Sequence, residues 1–110
     1  MNGAEPDLST WELLQDCAKQ IVDHLIARLP DDLRPEALRI GYKLHRRCPD
    51  EHLWGSYCSS TQTIKLYIEA IRDDCVEESS DLHKEIETTY LHELGHHLGL
   101  GEAEVEAYGL

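Results

Sequence analysis

The sequence predicts an α+β fold, in which a small sheet of three or four strands lies between an N-terminal and a C-terminal helix. Apolar residues recur at helical spacing from Trp11 to Leu29, and again along the segment after residue 80. Between these segments, alternating and β-branched runs are typical of strands. With 41% hydrophobic residues in 110, we expect one globular domain over residues 1–110, of which residues 1–9 form a flexible N-terminus.

The boundaries of these elements follow from capping and turn residues. Ser9 is the predicted N-cap of the first helix, with Glu12 completing a capping box, and Pro30 follows the helix end. The C-terminal helix is predicted to begin after Ser80 or Asp81. The predicted strands span residues 37–44, 53–58 and 63–68, a short helix follows at 70–75, and a last helical turn runs over 102–108.

Composition restricts the classes of partner. The formal net charge of -12 argues against nucleic acid and against anionic membranes, because both bind through clustered Lys and Arg. No apolar run approaches the roughly 20 residues that span a bilayer, and the N-terminus lacks the pattern of a signal peptide. We therefore expect a cytoplasmic protein, whose oligomeric state the sequence leaves open.

The cysteines at 17, 48, 58 and 75 do not form a Cys-x-x-Cys pair, so they do not resemble a structural zinc knuckle. We expect reduced thiols, with Cys17 and Cys75 in the core. A disulfide between Cys48 and Cys58 is the alternative.

The candidate chemistry lies in the C-terminal helix. His92 and His96 are four residues apart, so both imidazoles project from one helix face and can bind one metal ion, most simply zinc. Glu93 lies about 100° round the helix from His92, which suits a general base acting on water better than a ligand. A solvent-facing helix that carries these residues by chance is the alternative interpretation.

A third ligand is expected after the helix. Gly99 follows His96 by three residues and is placed to end the helix with a positive φ, which would swing the chain back towards the metal. Glu102 follows three residues later and is the predicted third ligand, with Glu106 as the alternative.

The candidate histidines and tyrosines outside the motif are expected mainly to pack in the fold. His97 points away from His96 and is predicted to pack near the sheet, while His45 and His52 are loop residues that could approach the site. Three tyrosines could each stabilise an oxyanion, although packing is the preferred interpretation for all of them: Tyr67, Tyr90 and Tyr108.

From about Trp11 onward, the chain resembles the small bacterial zincin-like metallopeptidase family. The similarity rests on residues 29–34 (LPDDLR), 53–57 (LWGSY), 64–67 (IKLY) and above all 89–99 (TYLHELGHHLG). It implies a zincin-type α+β fold, ligands at His92 and His96, a base at Glu93 and an acidic third ligand at the position of Glu102. The family position is more often Asp, and the chain's sole Met is Met1, so it lacks the methionine turn of the metzincins.

Together these patterns predict a metallopeptidase with one zinc ion per chain, which hydrolyses a peptide or protein substrate. We expect the strand edge at residues 63–67 to hold an extended peptide through main-chain hydrogen bonds. The alternative is a metal-binding regulatory or protein-interaction module, whose site is closed by a fourth ligand such as His45, His52 or a cysteine.

Overall fold

The computed structural model describes residues 10–99, which form the predicted α+β fold. Within this range, helices pack on one three-stranded sheet, in the order α1 Trp11–Ala27, α2 Arg34–Arg39, β1 Gly41–His45, β2 Gly55–Cys58, β3 Thr63–Tyr67, α3 Ile68–Glu78 and α4 Leu82–His97. The predicted N-terminal segment 1–9 and the predicted turn at 102–108 lie outside the described residues. Over residues 10–99, no helix has both the length and the apolarity needed to cross a membrane.

Helix α1 begins one residue later than the capping pattern predicts. Thr10 is the N-cap, and its side chain accepts a hydrogen bond from the backbone N–H of Leu13 at 3.4 Å. A threonine hydroxyl caps a helix in the same way as a serine hydroxyl, so the prediction of Ser9 as the cap was wrong by one position. The buried face is the predicted one: Leu14, Ala18, Ile21, Val22, Leu25 and Ile26.

The prediction of a strand over residues 37–44 was wrong in its first half. Residues Arg34–Arg39 form helix α2, with Pro35 in its first turn, and the strand β1 begins only at Gly41. Proline has the φ that a first helical turn requires, and Ala37, Leu38 and Arg39 are strong helix formers. The alternation of apolar residues across 37–44 arises from two adjacent elements.

The sheet has the order β1-β3-β2, so β3 is its central strand. Strand β1 runs parallel to β3, whereas β2 runs antiparallel to it across the turn at residues 59–62. The predictions of strands at residues 53–58 and 63–68 are therefore confirmed. The turn ends at Gln62, which adopts a positive φ of 50°.

The core lies between one face of the sheet and the helices. Ile64 and Leu66 of β3 are fully buried there, together with Tyr90 and Leu94 of α4. Helix α3 is longer than predicted, because it continues directly from β3 at Ile68.

The four cysteines are free thiols, as predicted. Cys75 is buried in the core and Cys17 is half-buried at its margin.

Candidate metal centre

Helix α4 begins and ends at the residues that the sequence indicates. Asp81 is the N-cap, and its carboxylate accepts a hydrogen bond from the backbone N–H of His83 at 3.1 Å. At the other end, Gly99 has a φ of +78°, the left-handed conformation predicted for it. The helix thus holds the motif in its last two turns, and Gly99 follows it in a conformation typical of helix ends.

The two motif histidines lie side by side on this helix. The Nε2 atoms of His92 and His96 are 3.1 Å apart, and the ring centroids are separated by 4.7 Å. Both residues are half-buried. Residues one helical turn apart therefore place two imidazole nitrogens side by side.

This separation fits two ligands of one zinc ion. In a tetrahedral site with Zn–N bonds of 2.0–2.1 Å, two ligand nitrogens lie about 3.3 Å apart. The nitrogens of His92 and His96 are within 0.2 Å of that spacing, since they are separated by 3.1 Å. Imidazole is also one of the donors that zinc prefers.

The described residues supply only part of a ligand set. Across residues 10–99, no group of three or more His, Cys, Asp or Glu side chains converges in a way that could hold a metal. The predicted third ligand Glu102 and its alternative Glu106 both lie outside this range. His92 and His96 are a candidate ligand pair by their separation of 3.1 Å, and their role and the third ligand both stay predictions.

The side chain of Glu93, a residue of α4, faces strand β2. Only 9% of its surface is exposed, and it approaches the sheet where β2 has a glycine. A Cβ atom added to Gly55 would lie 3.3 Å from Cγ of Glu93 and 2.8 Å from Cγ2 of Thr89. The carboxylate-bearing side chain is thus held against β2, one residue along the helix from His92.

The edge of the sheet beside the motif is β2, and this overturns the prediction that residues 63–67 form a peptide-binding edge. Strand β3 is hydrogen-bonded to β1 on one side and to β2 on the other, so its main-chain groups are already paired. Alternating residues identify strands but do not reveal strand order, which depends on contacts distant in sequence. In the described sheet, β2 is the edge strand that contacts α4.

His97 packs against the sheet, as predicted. Its side chain is only 7% exposed, and Nδ1 lies 2.6 Å from the hydroxyl oxygen of Tyr57 on β2. On its other side, Nε2 is 3.7 Å from Glu36 and 3.4 Å from Arg39, both on α2. His97 therefore connects the end of α4 to β2 and α2.

The tyrosines singled out in the sequence are packing residues where the structure describes them. Tyr67 and Tyr90 are 7% and 1% exposed, and burial raises the pKa of Tyr90 to about 12. Tyr108 lies outside the described residues. The sequence reasoning missed Tyr57, although the glycine two residues before it was a usable signal, since glycine within a strand often marks a close approach of another element.

His45 and His52 do not join the motif histidines. The ring of His45 packs 5.9 Å from that of Tyr67, and Nε2 of His52 is 2.7 Å from a carboxylate oxygen of Asp74. Neither they nor any cysteine within residues 10–99 forms a three-ligand group with His92 and His96. The described chain thus gives no support to a site closed by one of these side chains.

Comparison with known proteins points to one family. A family model described as zincin-like metallopeptidase matches residues 22–110, which include the hairpin, α4 and the whole motif. No curated protein matches the chain.

Proposed function

Since this chain belongs to the zincin-like metallopeptidase family, we propose that it is a zinc-dependent metallopeptidase that hydrolyses peptide bonds. The observation that supports this most directly is the 3.1 Å separation between the Nε2 atoms of His92 and His96, next to the buried Glu93. Membership of the family implies zinc in general terms. One ion per chain and the residues that bind it are part of the proposal.

The ligands proposed are His92 and His96, each through Nε2, together with Glu102. The spacing of three residues after Gly99 supports Glu102, and Glu106 is the alternative. When bound, zinc polarises a carbonyl group and lowers the pKa of water.

Glu93 is the proposed general base. A carboxylate oxygen of Glu93 accepts a proton from the water whose oxygen attacks the scissile carbonyl carbon, and later donates that proton to the amide nitrogen as the C–N bond breaks. The position of Glu93 supports this role, because it lies next to His92 on α4 and its side chain is held against β2.

Strand β2 is the proposed substrate-binding edge. An extended peptide can add to the edge of a sheet through main-chain hydrogen bonds, and β2 passes Glu93 at Gly55. A peptide bound along β2 would therefore run past the base. The proposed partner is a peptide or protein substrate, and the net charge of -12 argues against nucleic acid and anionic membranes.

The test combines metal content with peptide hydrolysis. For the wild type we expect one zinc per chain by plasma mass spectrometry and cleavage of members of a peptide library. Glu93→Gln keeps the zinc but loses about 10²–10⁴-fold in rate, because it removes the base and leaves the ligands. His96→Ala and Glu102→Ala lose the zinc.

Two outcomes would contradict the proposal. Hydrolysis by Glu93→Gln at the wild-type rate would remove Glu93 from the mechanism. A wild-type protein that binds zinc but cleaves nothing in the library would favour the alternative, a metal-binding regulatory or protein-interaction module. Loss of zinc in Glu106→Ala, with zinc retained in Glu102→Ala, would transfer the third ligand to Glu106.

A further inference from the structure

The sheet has a second face, opposite the one that packs on the helices. Side chains alternate along a strand, and Ile64 and Leu66 of β3 are fully buried on the helix side. Lys65 therefore points to the other side, as do the residues paired with it. We call this surface the open face and define it by Lys43, His45, Ser56 and Lys65. Tyr67 lies on the same side of the sheet but is only 7% exposed.

Two lysines lie next to each other on the open face. Lys43 and Lys65 are direct partners in the parallel register of β1 and β3. Within residues 10–99, neither forms an ion pair or a hydrogen bond, whereas every arginine of the chain forms an ion pair. Like charges directly opposite on neighbouring strands are unfavourable, so the fold carries this pair without compensation from the described chain.

The surroundings of the lysines are unusual for so acidic a protein. The chain has 22 acidic and 10 basic residues, yet the three strands contain no Asp or Glu. Among the residues of the described strands, the open face therefore carries only positive charge, on a molecule of net charge -12. At physiological ionic strength, charges more than about 8 Å away are largely screened, so this local charge decides what can bind here.

A buried polar atom adjoins the lysines. Nε2 of His45 is buried and has no hydrogen-bond partner within residues 10–99. Burial, and then the nearby charges of Lys65 and Lys43, lower the pKa of this imidazole. The positive charge of the two lysines therefore extends to the half-buried imidazole beside them. A ligand that brings negative charge to the open face would compensate it.

We propose that the open face binds an acidic, extended segment of a partner protein. Successive side chains on one side of an extended segment are about 6.6–6.8 Å apart, and neighbouring strands are 4.7–4.9 Å apart. Two carboxylates of such a segment can therefore reach Lys43 and Lys65 at the same time. The proposal does not rest on peptidase activity, because the open face lies across the sheet from Gly55, Glu93 and α4.

The test is a titration of ¹⁵N-labelled protein with a hexaglutamate peptide, followed by the amide chemical shifts. We expect shifts confined to β1, β3 and the neighbouring residues of β2, and none with hexaglutamine. The double variant Lys43→Gln/Lys65→Gln should bind the peptide about fivefold more weakly, because it loses two ion pairs. Lys43→Arg/Lys65→Arg should keep the wild-type affinity, since it keeps both charges.

Lys84 provides the matched control. It is an exposed lysine in the first turn of α4, and within residues 10–99 it forms no ion pair. Lys84→Gln changes the net charge as much as the single variants Lys43→Gln and Lys65→Gln, with which it is compared, but should leave peptide binding unchanged. An equal loss of binding in Lys84→Gln would show a general charge effect and overturn the proposal.

Other results would also overturn it. These are the absence of amide shifts with hexaglutamate, shifts centred on α4, or wild-type affinity in the glutamine double variant. Shifts of the β1 and β3 amides that depend on protein concentration without peptide would identify a second copy as the occupant instead. Zinc content measured on the same samples separates this test from that of the metal site, because neither lysine belongs to the proposed ligand set.

Discussion

At Gly55, strand β2 closely approaches α4. A Cβ atom there would lie 2.8 Å from Cγ2 of Thr89, 3.2 Å from the carbonyl oxygen of Lys65 and 3.3 Å from Cγ of Glu93. Thr89 cannot move aside easily, because its hydroxyl donates a hydrogen bond to the carbonyl of Glu85 at 2.8 Å. The absence of a side chain at position 55 thus determines how closely the edge strand approaches the proposed base.

Gly55→Ala is therefore expected to destabilise the protein by about 1–3 kcal/mol, the usual cost of overpacking. Gly41→Ala is the control, because an added Cβ there meets nothing within 4 Å, and its effect should stay within about 0.5 kcal/mol. Urea unfolding of the three proteins measures both effects. Equal stabilities for the two variants would contradict the close contact at Gly55.

The motif could be predicted at the residue scale because its geometry is local. His92 and His96 share a face through helical spacing alone, and the positive φ of Gly99 follows from its position at a helix end. The contact between Tyr57 and His97 joins residues 40 positions apart. Nothing in the spacing of either segment indicates such a contact, so it requires the structure.

At the scale of elements, the start of β2 is anchored by the segment that follows β3. A carboxylate oxygen of Asp74 on α3 accepts a hydrogen bond from Nε1 of Trp54 at 2.6 Å. The same oxygen lies 2.7 Å from Nε2 of His52. The carbonyl of Trp54 in turn accepts a hydrogen bond from the backbone N–H of Tyr67 at 2.8 Å. These contacts hold the loop that leads into the edge strand.

The hydrogen bond from Trp54, and then that from His52, lower the pKa of Asp74 in the folded state. A carboxyl group whose folded pKa lies below its unfolded value, about 4, stabilises the fold above that unfolded value. This stabilisation disappears as the pH falls through the folded pKa. We therefore expect Asp74→Asn to lower the unfolding temperature at pH 7, and the difference from wild type to shrink below about pH 4.

Thermal unfolding of wild type and Asp74→Asn between pH 2 and pH 7 measures this dependence. Asp50→Asn, which removes an exposed carboxylate near the same loop, is the control and should follow the wild-type curve. A difference between wild type and Asp74→Asn that stays constant over the whole range would show that the charge of Asp74 does not stabilise the loop.

Elements were predicted well where one period extends over many residues, as in α1 and α4, or where polar turn residues separate two strands, as in the β2–β3 hairpin. The prediction was wrong where two short elements adjoin, because Arg34–Arg39 and Gly41–His45 together imitate one alternating strand. It also placed the peptide-binding edge at β3, since strand order depends on the parallel pairing of β1 with β3. That pairing joins two segments separated by a loop, strand β2 and a turn, so no local sequence pattern indicates it.

At the scale of the whole molecule, negative charge is in excess. The chain carries 22 acidic and 10 basic residues, and the arginines are already engaged in exposed or partly exposed ion pairs, which contribute little each. The end of α3 concentrates this excess. Glu77 and Glu78 are exposed in its last turn, which contains no basic residue, so both charges face the negative end of the helix dipole.

Self-repulsion should therefore limit the stability of the metal-free protein at low ionic strength. We expect its unfolding temperature to rise as KCl increases from 10 to 200 mM, because the Debye length falls from about 30 Å to less than 10 Å over this range. Glu77→Gln/Glu78→Gln should be more stable at low salt by about 1 kcal/mol, or roughly 4 °C. Its unfolding temperature should also depend less on salt than that of the wild type. Calorimetry at both salt concentrations measures these effects, and sucrose in place of KCl separates screening from general solute exclusion. If KCl lowered the unfolding temperature, favourable ion pairs would outweigh repulsion, and the acidic excess would not be what limits stability.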